Sequence, residues 1–217
     1  MRSLVIGASG GIGAALLAAA AGQGEAVGLS RSADGLDLTD EASVARLLGG
    51  LEGPFERVIV ATGALHGGQG PEKTLRALEA PAMAAQFALN AIGPALVLKH
   101  ALRLMPRDRP ARFAALSARV GSIGDNALGG WYSYRAAKAA LNQLVHTAAI
   151  EITRSHPQSV VVCLHPGTVA TRFTADYPDR SKLSPEQAAT GLLSVLDGLG
   201  PEDSGGFFDV QGKRVPW

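Results

Sequence analysis

The sequence contains one cysteine, Cys163, set in the apolar run SVVVCLH. A single cysteine excludes an intramolecular disulfide and fits a reducing compartment. Aromatic residues make up 5% of the chain against 47% apolar residues overall, so small aliphatic side chains must fill the core. Charge is nearly balanced at a formal net +1, and no cluster of lysines or arginines forms a stripe. Neither nucleic-acid nor membrane-surface binding gains support from such a pattern. The histidines, His66, His100, His146, His156 and His165, show no metal-ligand spacing, so no metal site is expected. No stretch resembles a signal peptide or a spanning segment, and AALLAAAA (14–21) is too short to cross a bilayer. Together these absences predict a soluble, cytoplasmic globular protein.

What is present is glycine and an alternating pattern. The chain has 27 glycines among 217 residues without any collagen-like period, which points to tight turns and close backbone approaches. Apolar runs at 3–7, 25–30, 57–62, 112–117, 159–165 and 205–210 read as strands. Helical patterns lie between them, at about 11–22, 40–48, 72–104, 133–154 and 184–199. The 72–104 pattern is expected to break near Pro81 and ease at Gly93-Pro94. Continuous apolar strands alternating with helices predict an α/β fold: a Rossmann-like doubly wound parallel sheet with both faces covered, as one domain over 1–217. GLDL (35–38) follows the second strand too closely for a parallel crossover of roughly a dozen residues. It is either a vestigial third strand or no strand, leaving a sheet of about six to seven strands.

Two motifs carry chemistry. GASGGIG (7–13) follows the first strand and opens the first helix, where glycines let a pyrophosphate approach free N–H groups at a positive dipole end. In WYSYRAAK (131–138), Tyr134 and Lys138 stand four apart and share a helix face, whereas Tyr132 has Ala136 at the matching place. A lysine ammonium within ~5 Å at an effective dielectric of ~20 favours a phenolate by about 3 kcal/mol. That is roughly 2 pKa units, enough to make a tyrosine useful in proton transfer to or from a carbonyl oxygen. At the end of the second strand, Leu29-Ser30-Arg31 carries an arginine where an NAD site places an acid. Its fork of donors suits a 2′-phosphate, so NADP(H) is the expected cofactor, with NAD(H) as the lesser choice.

The glycine loop, the Tyr134/Lys138 pair and the Pro166-Gly167 turn in HPGTVAT, in this order, resemble the short-chain dehydrogenase/reductase family over nearly the whole chain. The stretch 117–142 resembles the C-factor and sniffer-type carbonyl reductases within it. The resemblance implies an oxidoreductase moving hydride between nicotinamide and a small carbonyl or secondary alcohol. It implies Tyr134 as acid–base residue, Lys138 lowering its pKa and binding the nicotinamide ribose, and Asn90 holding a water in the proton relay. It further implies that Gly7, Ser9, Gly11, Ile12 and Gly13 bind the cofactor, that Asp37 and Leu38 meet adenine, and that Pro166, Gly167, Val169 and Thr171 lie along it. The helix 133–154 would pair subunits in a homodimer or homotetramer.

The sequence also departs from the family. Ala61-Thr62-Gly63 stands where N-A-G is usual, so Ala61 and Gly63 line the cofactor by backbone only. The family's active-site serine falls on Ala118; Ser117 is the expected substitute, with Ser122 as second candidate. An impaired reductase is the resulting expectation, and a nucleotide-binding regulator with little turnover is the alternative. The segment 172–183 would cover the pocket.

Overall fold

The computed structural model describes residues 1–65, 70–177 and 181–217. Six parallel strands form one sheet in the order β2-β1-β3-β4-β5-β6. They are β1 (Arg2–Ile6), β2 (Glu25–Leu29), β3 (Arg57–Val60), β4 (Ala111–Leu116), β5 (Ser159–His165) and β6 (Phe207–Asp209). β1, β3, β4 and β5 sit inside the sheet and are buried nearly throughout, which is why they read as unbroken apolar runs. GLDL forms no strand. The chain leaves β2 into a single helical turn, α2 (Arg31–Asp34), capped by the Ser30 hydroxyl, and Leu36 and Leu38 drop into the core from an extended segment.

One face of the sheet is covered by α3 (Glu41–Gly49), α5 (Gly93–Ala101) and α6 (Tyr132–Ile152), with α4 (Ala80–Phe87) packed against α6. The other is covered by α1 (Gly11–Ala21) and α7 (Pro185–Gly198), whose small residues allow close contact. Strand alternation divides the core accordingly: Phe113, Ala115, Val161 and Cys163 face α6, while Ala114, Leu116, Val162 and Leu164 face α7.

Pro81 starts α4 rather than breaking a longer helix, because a first-turn N–H has no helical partner to lose. Between α4 and α5 lies a π-helical turn, Ala88–Ile92. Pro94 explains it: lacking an N–H, it cannot make the helical bond to the Asn90 carbonyl four residues back. The helical run Ala80–Leu104 is long and apolar enough by composition alone to span a bilayer, a test that a core helix also passes. Here its buried residues pack against α3, α6 and the sheet.

Candidate active site

The sheet order reverses between β1 and β3, and their C-terminal ends open the crevice where this class of fold takes ligands. The glycine loop lines one side. Gly7 has φ +89°, and a Cβ on Gly13 would lie 2.1 Å from the Gly7 carbonyl oxygen, so the turn into α1 closes only with glycine. Ser9 and Gly11 are exposed on the loop and Ile12 is half-buried. A Cβ on Gly7 would meet Thr62 and the Ala61 carbonyl, and one on Gly11 would meet Thr171 at 2.6 Å. The β1, β3 and β5 loops thus converge, and Pro166, Gly167 (φ +77°) and Val169 belong to that third loop. Thr62 Oγ1 is buried there without a hydrogen-bond partner. An exposed loop at the start of a helix, a glycine-only approach and an orphan hydroxyl fit a dinucleotide.

Arg31 is exposed at the start of α2, with no ion pair recorded among the described residues. Leu38 is buried against Gly93, whose absent side chain makes room for it. Asp37 accepts bonds from the Thr39 amide (2.8 Å) and hydroxyl (2.7 Å), which, the hydroxyl foremost, hold its carboxyl below the usual range.

Two side chains, Asn90 and Lys138, converge on Gly63 and its neighbour. A Cβ on Gly63 would lie 2.9 Å from Asn90 Oδ1 and 3.7 Å from Lys138 Nζ. Asn90 Nδ2 donates to the Ala64 carbonyl (2.9 Å) and to Gln86 Oε1 (2.7 Å), and its Oδ1 accepts from the Ala64 amide at 3.2 Å. The side chain of Asn90 is therefore committed to protein. Lys138 Nζ donates to the Leu116 carbonyl at 2.8 Å and lies 5.8 Å from the centre of the Tyr134 ring. Both residues are buried on one face of α6; Tyr132 is half-buried and takes no part in this cluster.

Burial sets the electrostatics. It raises the Tyr134 phenol above its ordinary range and pushes the Lys138 ammonium down to about 8. The sequence predicts the opposite, a lysine that lowers the tyrosine. In this structure the loss of hydration dominates for both groups, so the phenol stays protonated at neutral pH. His165, at the end of β5, is pushed down to about 4, first by burial and then by Arg119.

The serine positions are equally specific. Ser117 is buried and donates its hydroxyl to Asn142 Oδ1 at 2.7 Å, two helical turns beyond Tyr134. Ala118 is half-buried, and the buried Ser122 hydroxyl accepts from the Asp125 amide at 3.1 Å. The structure thus brings Tyr134, Lys138 and Asn90 together but engages Ser117 elsewhere.

Several site residues were missed from sequence. Trp131, Phe173 and Tyr177 join Tyr134 in an aromatic group: Trp131 lies 6.4 Å from Tyr134 and 5.4 Å from Tyr177, and Phe173 lies 6.0 Å from Tyr134. Gln86, four residues before Asn90, was legible by helical spacing. Of the segment expected to cover the pocket, 178–180 lie outside the described residues, as does His66. Among the described residues no cluster of metal-ligating side chains occurs.

A family model described as enoyl-(acyl carrier protein) reductase matches residues 13–196. The C-signal protein of Myxococcus xanthus is 41% identical over 136 residues, covering 62% of this chain and 78% of that protein. A 1-hydroxy-2-glutathionyl-2-methyl-3-butene dehydrogenase from a Rhodococcus species is 38% identical over 133 residues, 61% of this chain but only 57% of that enzyme. Among solved structures, a protein described as a short-chain dehydrogenase/reductase from Burkholderia multivorans with bound NADP superposes with a TM-score of 0.82 at 25% identity, covering 100% of this chain and 99% of that one.

Proposed function

The chain belongs to the short-chain dehydrogenase/reductase family, and from that premise we propose that it is an NADP(H)-dependent oxidoreductase interconverting a carbonyl and a secondary alcohol. The observation that carries this reading is the convergence of Lys138 Nζ and Asn90 Oδ1 on Gly63, which joins the Tyr134 helix to the glycine-loop cradle. A bound nicotinamide would supply or accept the hydride. Tyr134, held protonated by its burial, gives its proton to the oxygen that gains charge during reduction. Lys138, charged below about pH 8, offsets the phenolate left behind and offers N–H donors to the ribose. Asn90 fixes the β3 loop through Ala64, and Pro94, lacking an N–H, cannot donate to the Asn90 carbonyl four residues back; that carbonyl is the proposed water anchor of the relay.

The glycine loop residues Gly7, Ser9, Gly11, Ile12 and Gly13 would hold the pyrophosphate, with Ala61, Gly63, Pro166, Gly167, Val169 and Thr171 along the crevice. Arg31 would meet the 2′-phosphate, and the bound NADP of the Burkholderia structure supports that choice. Asp37 and Leu38 would border the adenine by backbone, since the Leu38 side chain is spent in the core. The outer face of α6 carries exposed Leu144 and Ile150, which suits pairing with a second copy.

A second reading has its own support. Ala118 offers no hydroxyl, Ser117 is tied to Asn142, and one relative is named as a signal protein. Titration with NADPH, followed by its oxidation against ketones, aldehydes and quinones, separates the two. Binding with turnover supports the reductase; binding without any turnover supports a nucleotide-binding regulator.

A further inference from the structure

The long helix that carries Tyr134 begins without a cap of its own. Its N-cap position is Trp131, which makes no side-chain capping bond and sits in the left-handed region at φ 54°. It is the one non-glycine residue with positive φ among the described residues, and it follows Gly129 and Gly130, both at φ +65°. A bulky residue does not hold that conformation unless its surroundings impose it.

The imposing group is Glu72, from a loop 61 residues earlier in the chain. Its carbonyl accepts from the Trp131 amide at 2.5 Å. Its carboxylate accepts from the Ser133 amide at 3.3 Å and from the Ser133 hydroxyl, so it occupies the capping place that Trp131 leaves empty. A carboxylate there also meets the positive end of the helix dipole. Arg135 holds the other side of the turn, donating to the Gly130 and Val120 carbonyls at 2.9 and 3.1 Å. Tyr134 lies between these two anchored neighbours, and Trp131 bridges it to Tyr177 on the opposite loop.

We infer that Glu72 is a positioning residue: by capping α6 from a distant loop, it fixes Trp131 as a pocket wall and sets the placement of Tyr134. The role for Tyr134 rests on the reductase reading, whereas the clamp itself does not. The test is therefore read first without turnover. In a Trp217→Phe background Trp131 is the sole tryptophan, and its quenching by acrylamide reports the wall directly. Glu72→Ala should raise the quenching constant about twofold or more. It should also speed hydrogen exchange at amides 133–135 about five- to tenfold, the size of a lost N-cap, and leave amides 141–149 unchanged. Glu72→Gln should recover most of both, because a carboxamide oxygen still accepts from Ser133. If Glu72→Ala fails to fold, Ser133→Ala reads the same contact from the helix side and should reproduce the faster local exchange. In turnover, Glu72→Ala should lower kcat/KM and Glu72→Gln restore it. Unchanged quenching and exchange in folded Glu72→Ala, or a Gln variant as impaired as the Ala variant, would overturn the inference. A clamp that behaves as expected in a protein with no turnover would instead count against the reductase reading alone.

Discussion

Ser117 donates its hydroxyl to Oδ1 of Asn142 at 2.7 Å. Asn142 stands eight residues along α6 from Tyr134, about 12 Å of helix rise. A hydroxyl so engaged serves the packing of the β4 end on α6, and the proposed reading leaves the donor position beside the reacting oxygen to Ala118. Ser117→Ala should leave a buried acceptor unpaired and destabilise the fold by about 1–3 kcal/mol, read as a lower urea midpoint, with turnover changed little. Ala118→Ser should restore a donor to the substrate oxygen and raise kcat by up to about 10²–10³. A Ser117→Ala protein of normal stability but crippled kcat would reverse these roles.

In the proposed reading Arg31 sets the cofactor preference. It stands exposed on α2 with no ion pair among the described residues, free to meet a phosphate. Arg31→Ala should weaken NADPH binding about ten- to hundredfold, the value of a charge-assisted contact, and leave NADH binding nearly unchanged. Calorimetric titration of both cofactors checks this. Equal affinities in the unaltered protein would contradict it.

Lys138 makes stability depend on alkaline pH. Burial pushes its ammonium down to about 8 from an ordinary 10.5. Between those values the unfolded chain holds a proton that the folded chain has released, so stability rises with pH. Below about pH 8 both states are charged and the cost of burying the charge is fully present. Tyr134 acts oppositely, but only above its ordinary 10.0, where the unfolded chain ionises first and stability falls. Relative to Lys138→Met, the unaltered protein should therefore gain on the order of 2 kcal/mol between pH 8 and 10. Denaturant midpoints across that range measure it, and a flat difference would refute it.

Most of the architecture was legible because a parallel sheet buries its strands on both faces, and such strands appear as apolar runs. The glycine loop and the Tyr134/Lys138 spacing were legible for a similar reason: each depends on residues close in sequence. What was hidden depends on residues far apart. GLDL carries strand-like residues, but its leucines are core plugs, and nothing local distinguishes the two. Spacing placed Lys138 beside Tyr134, yet it could not reveal that both are buried, which reverses the direction of the tyrosine's shift. The Glu72 cap spans 61 residues, and only the paired glycines before Trp131 hinted at its unusual turn.

In the proposed mechanism Tyr134, and not Tyr132, passes the proton. The most direct measurement compares Tyr134→Phe and Tyr132→Phe in NADPH-dependent carbonyl reduction, with NADPH affinity measured on the same samples. Tyr134→Phe should lose about 10²–10⁴-fold in kcat while binding NADPH nearly as before, and Tyr132→Phe should keep most of its turnover. An active Tyr134→Phe protein, or an inactive Tyr132→Phe protein that still binds NADPH, would contradict the account.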